Sequence, residues 1–215
     1  NDWDRPVYMA TTVPSSQYKG LDKFFVQEGM AYRIVPLKIE KTDNSDYGII
    51  DPHIMYDNMM NKFKWGNADD PSVYLDETNR RMFSNYRRIF GNLGKTLLAE
   101  GDTLKALETV RKGREIVPSG KLPDDYYSIG FAEVLLNAGQ TEEGEKLIGE
   151  IVNYAKEYLD YAVSLDPGDR FGLEYPNGIN MQTMLDIYNL SISLKMDSLT
   201  TVIEPMIGNY YSRLY

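Results

Sequence analysis

The chain has 215 residues, 42% hydrophobic and 26% charged, enough to build one or two folded domains around a hydrophobic core. Its 32 acidic residues outnumber 23 basic ones, and a formal charge of −9 repels phosphate backbones, so nucleic-acid binding is set aside. No cysteine is present for disulfides, thiolate nucleophiles or metal sites, one histidine (His53) cannot make a multi-histidine centre, and no apolar run reaches the roughly 20 residues that span a bilayer.

Arg5 to Thr11 carries Val7, Tyr8 and Thr11 after a proline and reads as a strand. Leu21, Phe24 and Phe25 suggest a short helix over 20–28, ended by Gly29. Ala31 to Leu37 reads as a second strand closed by Pro36. Strand, helix, strand predicts a parallel βαβ unit, the remnant of an α/β domain over 1–40 whose earlier strands lie upstream. A start at Asn1 without a secretory signal fits an excised part of a longer protein. A linker over 41–75 follows, with a polar, mobile loop at 38–50 and a short helix at 53–64 whose Met55, Met59 and Phe63 share one face.

From Asp76 the helical period is sustained, and the expected fold is mainly α: an array of hairpins at about 76–118, 123–166 and 176–215. Phe83, Tyr86, Phe90, Leu93 and Leu97 make one stripe, and Leu104, Leu107 and Val110 face it across a turn at Gly101-Asp102. Phe131, Ala132, Leu135 and Gly139 repeat the pattern of Leu93, Gly94, Leu97 and Gly101 at a constant offset. A third pair uses Leu185, Tyr188 and Ile192 against Leu199, Val202, Ile203 and Met206, with Met196 in place of the turn glycine and Pro205 expected to kink or split the last helix. The first pair, Phe90-x2-Leu93-Gly94-x2-Leu97 through Ala106 to Pro118, resembles one tetratricopeptide unit, with Phe90 where that family prefers Trp. The expected architecture is a tetratricopeptide-like array with an irregular terminal cap.

Three segments resemble the C-terminal soluble region of a bacterial family of polytopic membrane proteins whose membrane part is similar to protein mannosyltransferases. They are Arg5-Pro6-Val7-Tyr8-Met9-Ala10-Thr11-Thr12, Gly29-x-Ala31-Tyr32-Arg33-x-Val35-Pro36, and Met55 through Asn67 with its Tyr56-Asp57-Asn58 and Lys64-Trp65-Gly66. The resemblance implies a periplasmic position at the cytoplasmic membrane, tethered through upstream membrane helices beside a sugar transferase. That family's catalytic acids lie in the membrane region, so the resemblance carries no catalytic residue over to this chain.

Tyr56, Asp57, Asn58, Lys62, Lys64 and Trp65 form the candidate binding segment, since aromatic faces with amide and carboxylate groups suit sugar recognition. The alternative is a staple in which Trp65 is buried and Asn58 bridges backbone, which base rates for aromatic residues favour. The acidic pairs Asp69-Asp70, Asp124-Asp125 and Glu142-Glu143 read as helix N-terminal charges rather than a hydrolytic pair across a cleft. The streak Arg80-Arg81, Arg87-Arg88, Arg111-Lys112-x-Arg114 reads as solvated helix face, and the tyrosines on helix stripes as core. The expected function is a non-catalytic module for a protein or glycan partner and for its own membrane region, with no cofactor or metal assigned. A soluble carbohydrate-active domain using concave-face carboxylates, or a structural or oligomerisation domain, is the alternative.

Overall fold

Alternation of buried and half-buried side chains, rather than helical spacing, organises the start of the chain. The computed structural model describes residues 3–215 and has strands β1 (Val7–Ala10), β2 (Phe25–Gln27), β3 (Ala31–Ile34) and β4 (Ile49–Ile50). Their order is β1-β3-β2-β4, with β3 antiparallel to β1 and β2, and β4 parallel to β2. The expected βαβ unit is thereby corrected. Leu21–Phe24 is a single 3-10 turn, whereas a parallel crossover takes a dozen or more residues. Phe25 and Gln27 are buried with Val26 half-buried between them, the period of a strand. Gly29, at φ 139°, turns β2 back into β3, and Glu28 N–H donates to Ala31 O at 3.1 Å.

One face of the sheet carries an aromatic core. Phe25 and Tyr32 stack at 4.8 Å, and Tyr18 meets Phe25 and Tyr47 edge-on at 5.1 and 4.9 Å. The segment at 38–50, expected as a mobile loop, is anchored by an Asp46–Arg88 ion pair and runs into β4. Gly48 lies against β2 with φ 61°, and a Cβ there would come within 1.9 Å of the Phe25 carbonyl oxygen.

The chain divides into two compact units, Asn1–Pro118 and Ser119–Tyr215. The first holds the sheet, helix α1 (Pro52–Asp57), a π-helical turn at Asn58–Lys62, and the hairpin of α2 (Glu77–Ala99) and α3 (Thr103–Ile116). The second holds α4 (Ile129–Asn137), α5 (Thr141–Ser164), α6 (Glu174–Ser193) and α7 (Asp197–Leu214). The fold is mainly α with a small sheet, as the sequence predicts. In the second unit each helix packs on its successor, and α6 also touches α4 while α7 touches α5.

Three helix–turn–helix connections share one geometry. Gly101 N–H donates to Leu98 O and Asp102 N–H to Leu97 O; the pairs Gly139–Leu136 with Gln140–Leu135, and Lys195–Ile192 with Met196–Ser191, repeat it. Gly101, Gly139 and Lys195 hold the left-handed position at φ 87°, 78° and 56°, the helix-ending arrangement that favours glycine. Lys195, not Met196, therefore stands where the glycine is replaced. Pro205 does not split the last helix, which runs unbroken from Asp197 to Leu214.

Two core stripes differ from expectation. Leu104 is exposed, while Leu107 and Val110 are buried as expected and Ala106 joins them. On α6 the buried apolar residues are Met181, Met184 and Ile187, while Leu185 and Ile192 are exposed. Apolar residues surround α6 on several sides, so spacing alone does not select the inward face.

Candidate functional site

The candidate segment follows Asp51, whose side chain accepts from Ile54 N–H at 2.9 Å and starts α1. Met55 and Met59 are fully buried beneath it. The π-helical turn then presents Asn58 to the β2–β3 hairpin, and its Nδ2 donates to Glu28 O at 2.7 Å. Phe63 closes on the same hairpin: a Cβ on Gly29 would lie 3.0 Å from its ring. Asn58 and Phe63 together clamp the hairpin tip.

Of the remaining polar groups, Tyr56, Asp57 and Lys62 meet groups of this same unit. Lys62 Nζ pairs with Asp57 Oδ2 at 2.6 Å and reaches Asn58 Oδ1 at 3.2 Å, while Asn61 donates to Asp57 at 3.0 Å. The Lys62 and Asn61 hydrogen bonds hold the Asp57 carboxyl below the usual carboxylate range. Tyr56 OH donates to Glu108 Oε2 at 2.6 Å, and Lys105 Nζ lies 5.6 Å from the Tyr56 ring centre. Partial desolvation, then that hydrogen bond, pushes the Tyr56 hydroxyl up to about 12. Trp65 is half-buried against Phe63, Tyr86 and Phe90, at 6.1, 5.6 and 5.3 Å between ring centres. Lys64 is exposed. The segment thus joins sheet, α2 and α3 through Asn58, Trp65 and Tyr56, while Lys64 stands apart from those ties.

A second polar cluster, unmarked by any sequence pattern, sits beside this clamp. Glu28 is buried; Tyr8 OH donates to its Oε2 at 2.8 Å and Arg33 Nη1 reaches its Oε1 at 3.4 Å. The bond to Glu28 raises the Tyr8 hydroxyl above its usual range. Cross-strand register places Tyr8 opposite Arg33, which a parallel assignment could not anticipate.

The other sequence candidates separate. Asp70 accepts from Ser72 N–H and Oγ at 2.8 and 2.7 Å, forming a turn, and Asp125 accepts from Tyr127 N–H at 3.0 Å before a 3-10 turn. Of the three acidic pairs, Glu142-Glu143 alone sits in the first turn of a helix longer than a 3-10 turn. Asp51, Asp76 and Asp102 are the acids whose side chains cap α-helices. Arg87 is buried, with Nη2 donating to Val117 O at 2.8 Å, so it is not part of a solvated streak. His53 is exposed, 4.0 Å from Glu100. Among the stripe tyrosines Tyr210 is buried, whereas Tyr154 is exposed and Tyr86, Tyr126, Tyr158 and Tyr188 are half-buried.

In the second unit, Arg170 gathers helix ends. Its guanidinium donates to Leu165 O at 3.1 and 2.9 Å, beyond the end of α5, and to Arg213 O at 2.6 Å in the last turn of α7. A cation there complements both negative helix termini. Among the described residues no group of three or more His, Cys, Asp or Glu is arranged to hold a metal ion, and no helix is long and apolar enough to cross a membrane.

Residues 1–54, about a quarter of the chain, match the family model described as TMEM260-associated domain 2. The match covers the sheet and the opening of α1, a likeness to a TMEM260-like family over that stretch. No curated protein and no solved structure matches the chain.

Proposed function

We propose that this chain is a non-catalytic interaction module of a membrane-associated protein: a small sheet stapled to tetratricopeptide-like hairpins that hold a protein or glycan partner. The observation that carries the reading is the shared turn at Gly101, Gly139 and Lys195. It makes three helix pairs of one kind, the building block of stacked binding surfaces. The candidate segment supports the same reading from the other direction, because Tyr56, Asp57, Asn58, Lys62 and Trp65 are engaged within their own unit. The match to TMEM260-associated domain 2 supports attachment to a membrane protein. A periplasmic position beside a mannosyltransferase-like membrane region follows from the sequence resemblance and belongs to the proposal.

The test compares the longer membrane protein with and without this region and asks what co-purifies from native membranes. Loss of a defined protein or glycan with the region supports the module. Hydrolysis or transfer of a sugar by the isolated chain would establish the carbohydrate-active alternative instead. For the segment itself, Trp65→Ala is expected to cost about 2–4 kcal/mol of folding stability, somewhat under the roughly 3–5 kcal/mol of a fully buried aromatic ring because Trp65 is half-buried. Unchanged stability with loss of a glycan or protein ligand would make Trp65 a contact residue.

A further inference from the structure

Three tyrosines of the first unit gather around one ion pair. Tyr18 and Tyr32 are buried, with 3% and 1% of their surface exposed, and half-buried Tyr47 meets their rings edge-on at 4.9 and 6.0 Å. Burial raises the hydroxyls of Tyr18 and Tyr32 above their usual range; Asp46 raises both further and Arg88 opposes it. The two phenols therefore face the same carboxylate and the same guanidinium. Arg88 of α2 holds Asp46, and its Nη2 donates to Asn85 Oδ1 at 2.6 Å. Both members of the pair keep part of their side chains in solvent, which leaves the cluster open on that side.

These hydroxyls are used differently from others in the chain. Tyr8, Tyr56 and Tyr210 each donate to a carboxylate, of Glu28, Glu108 and Asp160. Asp46 is engaged by Arg88 instead, and among the described residues the hydroxyls of Tyr18, Tyr32 and Tyr47 have no hydrogen-bond partner. Polar groups on side chains this buried ordinarily have one.

We propose that Tyr18, Tyr32, Tyr47 and the Asp46–Arg88 pair form a subsite for one neutral sugar residue of a glycan. The proposal rests on the interaction-module reading and narrows its partner to a glycan. Asp46 cancels the charge of Arg88, so an anion finds no net attraction here. Sugar hydroxyls both donate and accept, as phenol hydroxyls do, and the pair adds N–H donors and carboxylate lone pairs. The groups are fixed in advance: the rings brace one another, and Thr42 N–H donates to Gly48 O at 3.1 Å, closing the loop that carries Asp46 and Tyr47. A prepared site loses little freedom on binding.

Titration of the labelled chain, followed by amide chemical shifts, tests the subsite. The probes are the methyl glycosides of glucose, mannose, galactose and N-acetylglucosamine at millimolar concentration, with inorganic phosphate beside them. At least one glycoside is expected to shift the amides around Tyr18, Tyr32 and Tyr47. Tyr47→Phe and, separately, Tyr18→Phe keep the ring and remove the hydroxyl, so the fold persists, as melting curves will report. Each should weaken that glycoside about fivefold, the loss of one hydrogen bond. The proposal is overturned if no glycoside shifts these amides, if phosphate alone does, or if both variants bind as the unaltered chain does. Any of these leaves the module reading standing with a protein partner, which co-purification with the longer protein measures separately.

Discussion

The two units use their polar side chains differently. In the first, hydrogen bonds and ion pairs run between segments far apart in sequence: Asn58 to Glu28, Tyr56 to Glu108, Arg88 to Asp46, Arg87 to Val117. In the second, many fall within one helix, as in Lys156–Asp160, Gln182–Asp186, Asn180–Pro176 and Thr183–Ile179. Charge divides along the same line. Residues 1–118 hold equal numbers of acidic and basic side chains, so the whole formal charge of −9 falls on 119–215. A small sheet of short strands has little apolar area to bury and depends on particular ties. Long helices packed in sequence order close most of their polar groups locally and tolerate a surplus of charge.

This contrast can be broken most forcefully at Gly48. Replacing it with alanine strains a left-handed backbone and drives a Cβ into the Phe25 carbonyl, for an expected loss of about 4 kcal/mol or more. Hydrogen exchange should accelerate across β2 and β4 before it does in α5 or α6; equal protection in wild type and variant would show that the β2–β4 contact is dispensable.

Arg170 is one point where the helical unit departs from local bonding. Arg170→Met should lower the unfolding free energy by about 2–3 kcal/mol, because carbonyls at two helix ends lose a charged donor. Lysine should recover little of this, having no planar fork to reach both ends. Full recovery in Arg170→Lys during denaturant unfolding would reduce the residue to a simple charge.

A smaller effect is expected at the bond from Tyr210 OH to Asp160 Oδ1, 2.6 Å long. Lys156, then this hydroxyl, holds the Asp160 carboxyl below the usual carboxylate range. A carboxyl depressed on folding stabilises the protein above its unfolded value, near 4, and loses that contribution as pH falls below it. Tyr210→Phe should cost about 1–2 kcal/mol at neutral pH, with a smaller difference in strong acid. A pH-independent difference between melting curves would assign the cost to packing alone. The smallest change is a gain: Lys195→Gly relieves a left-handed lysine and should stabilise the unit by about 1 kcal/mol, visible as a rise in Tm. No rise would mean that the Lys195 backbone is not strained.

Legibility in the sequence follows the same division. The hairpins could be read because their signals are local: the stripe through Phe90, Leu93 and Leu97, and the glycines at 101 and 139. The sheet is not legible, because a three-residue strand offers too few positions to separate alternation at Phe25-Val26-Gln27 from a helical face. Within the candidate segment, the stapling roles of Asn58 and Trp65 could be framed as an alternative, but their partners, Glu28 and Phe90, were not visible. The Tyr8–Glu28–Arg33 cluster depends on antiparallel register, and the role of Arg170 on where two helices end; neither leaves a periodic trace.

Identical connections also decide where length can vary. With each corner locked by the same two bonds, a helix that gains residues extends away from the corner, as α5 does in reaching Ser164 while α3 stops at Ile116. Insertions and deletions at 119–121 or 171–173, outside the ties made by Val117, Leu165 and Arg170, should therefore be absorbed without disturbing the bends, and those stretches are where otherwise interchangeable rods acquire individual character.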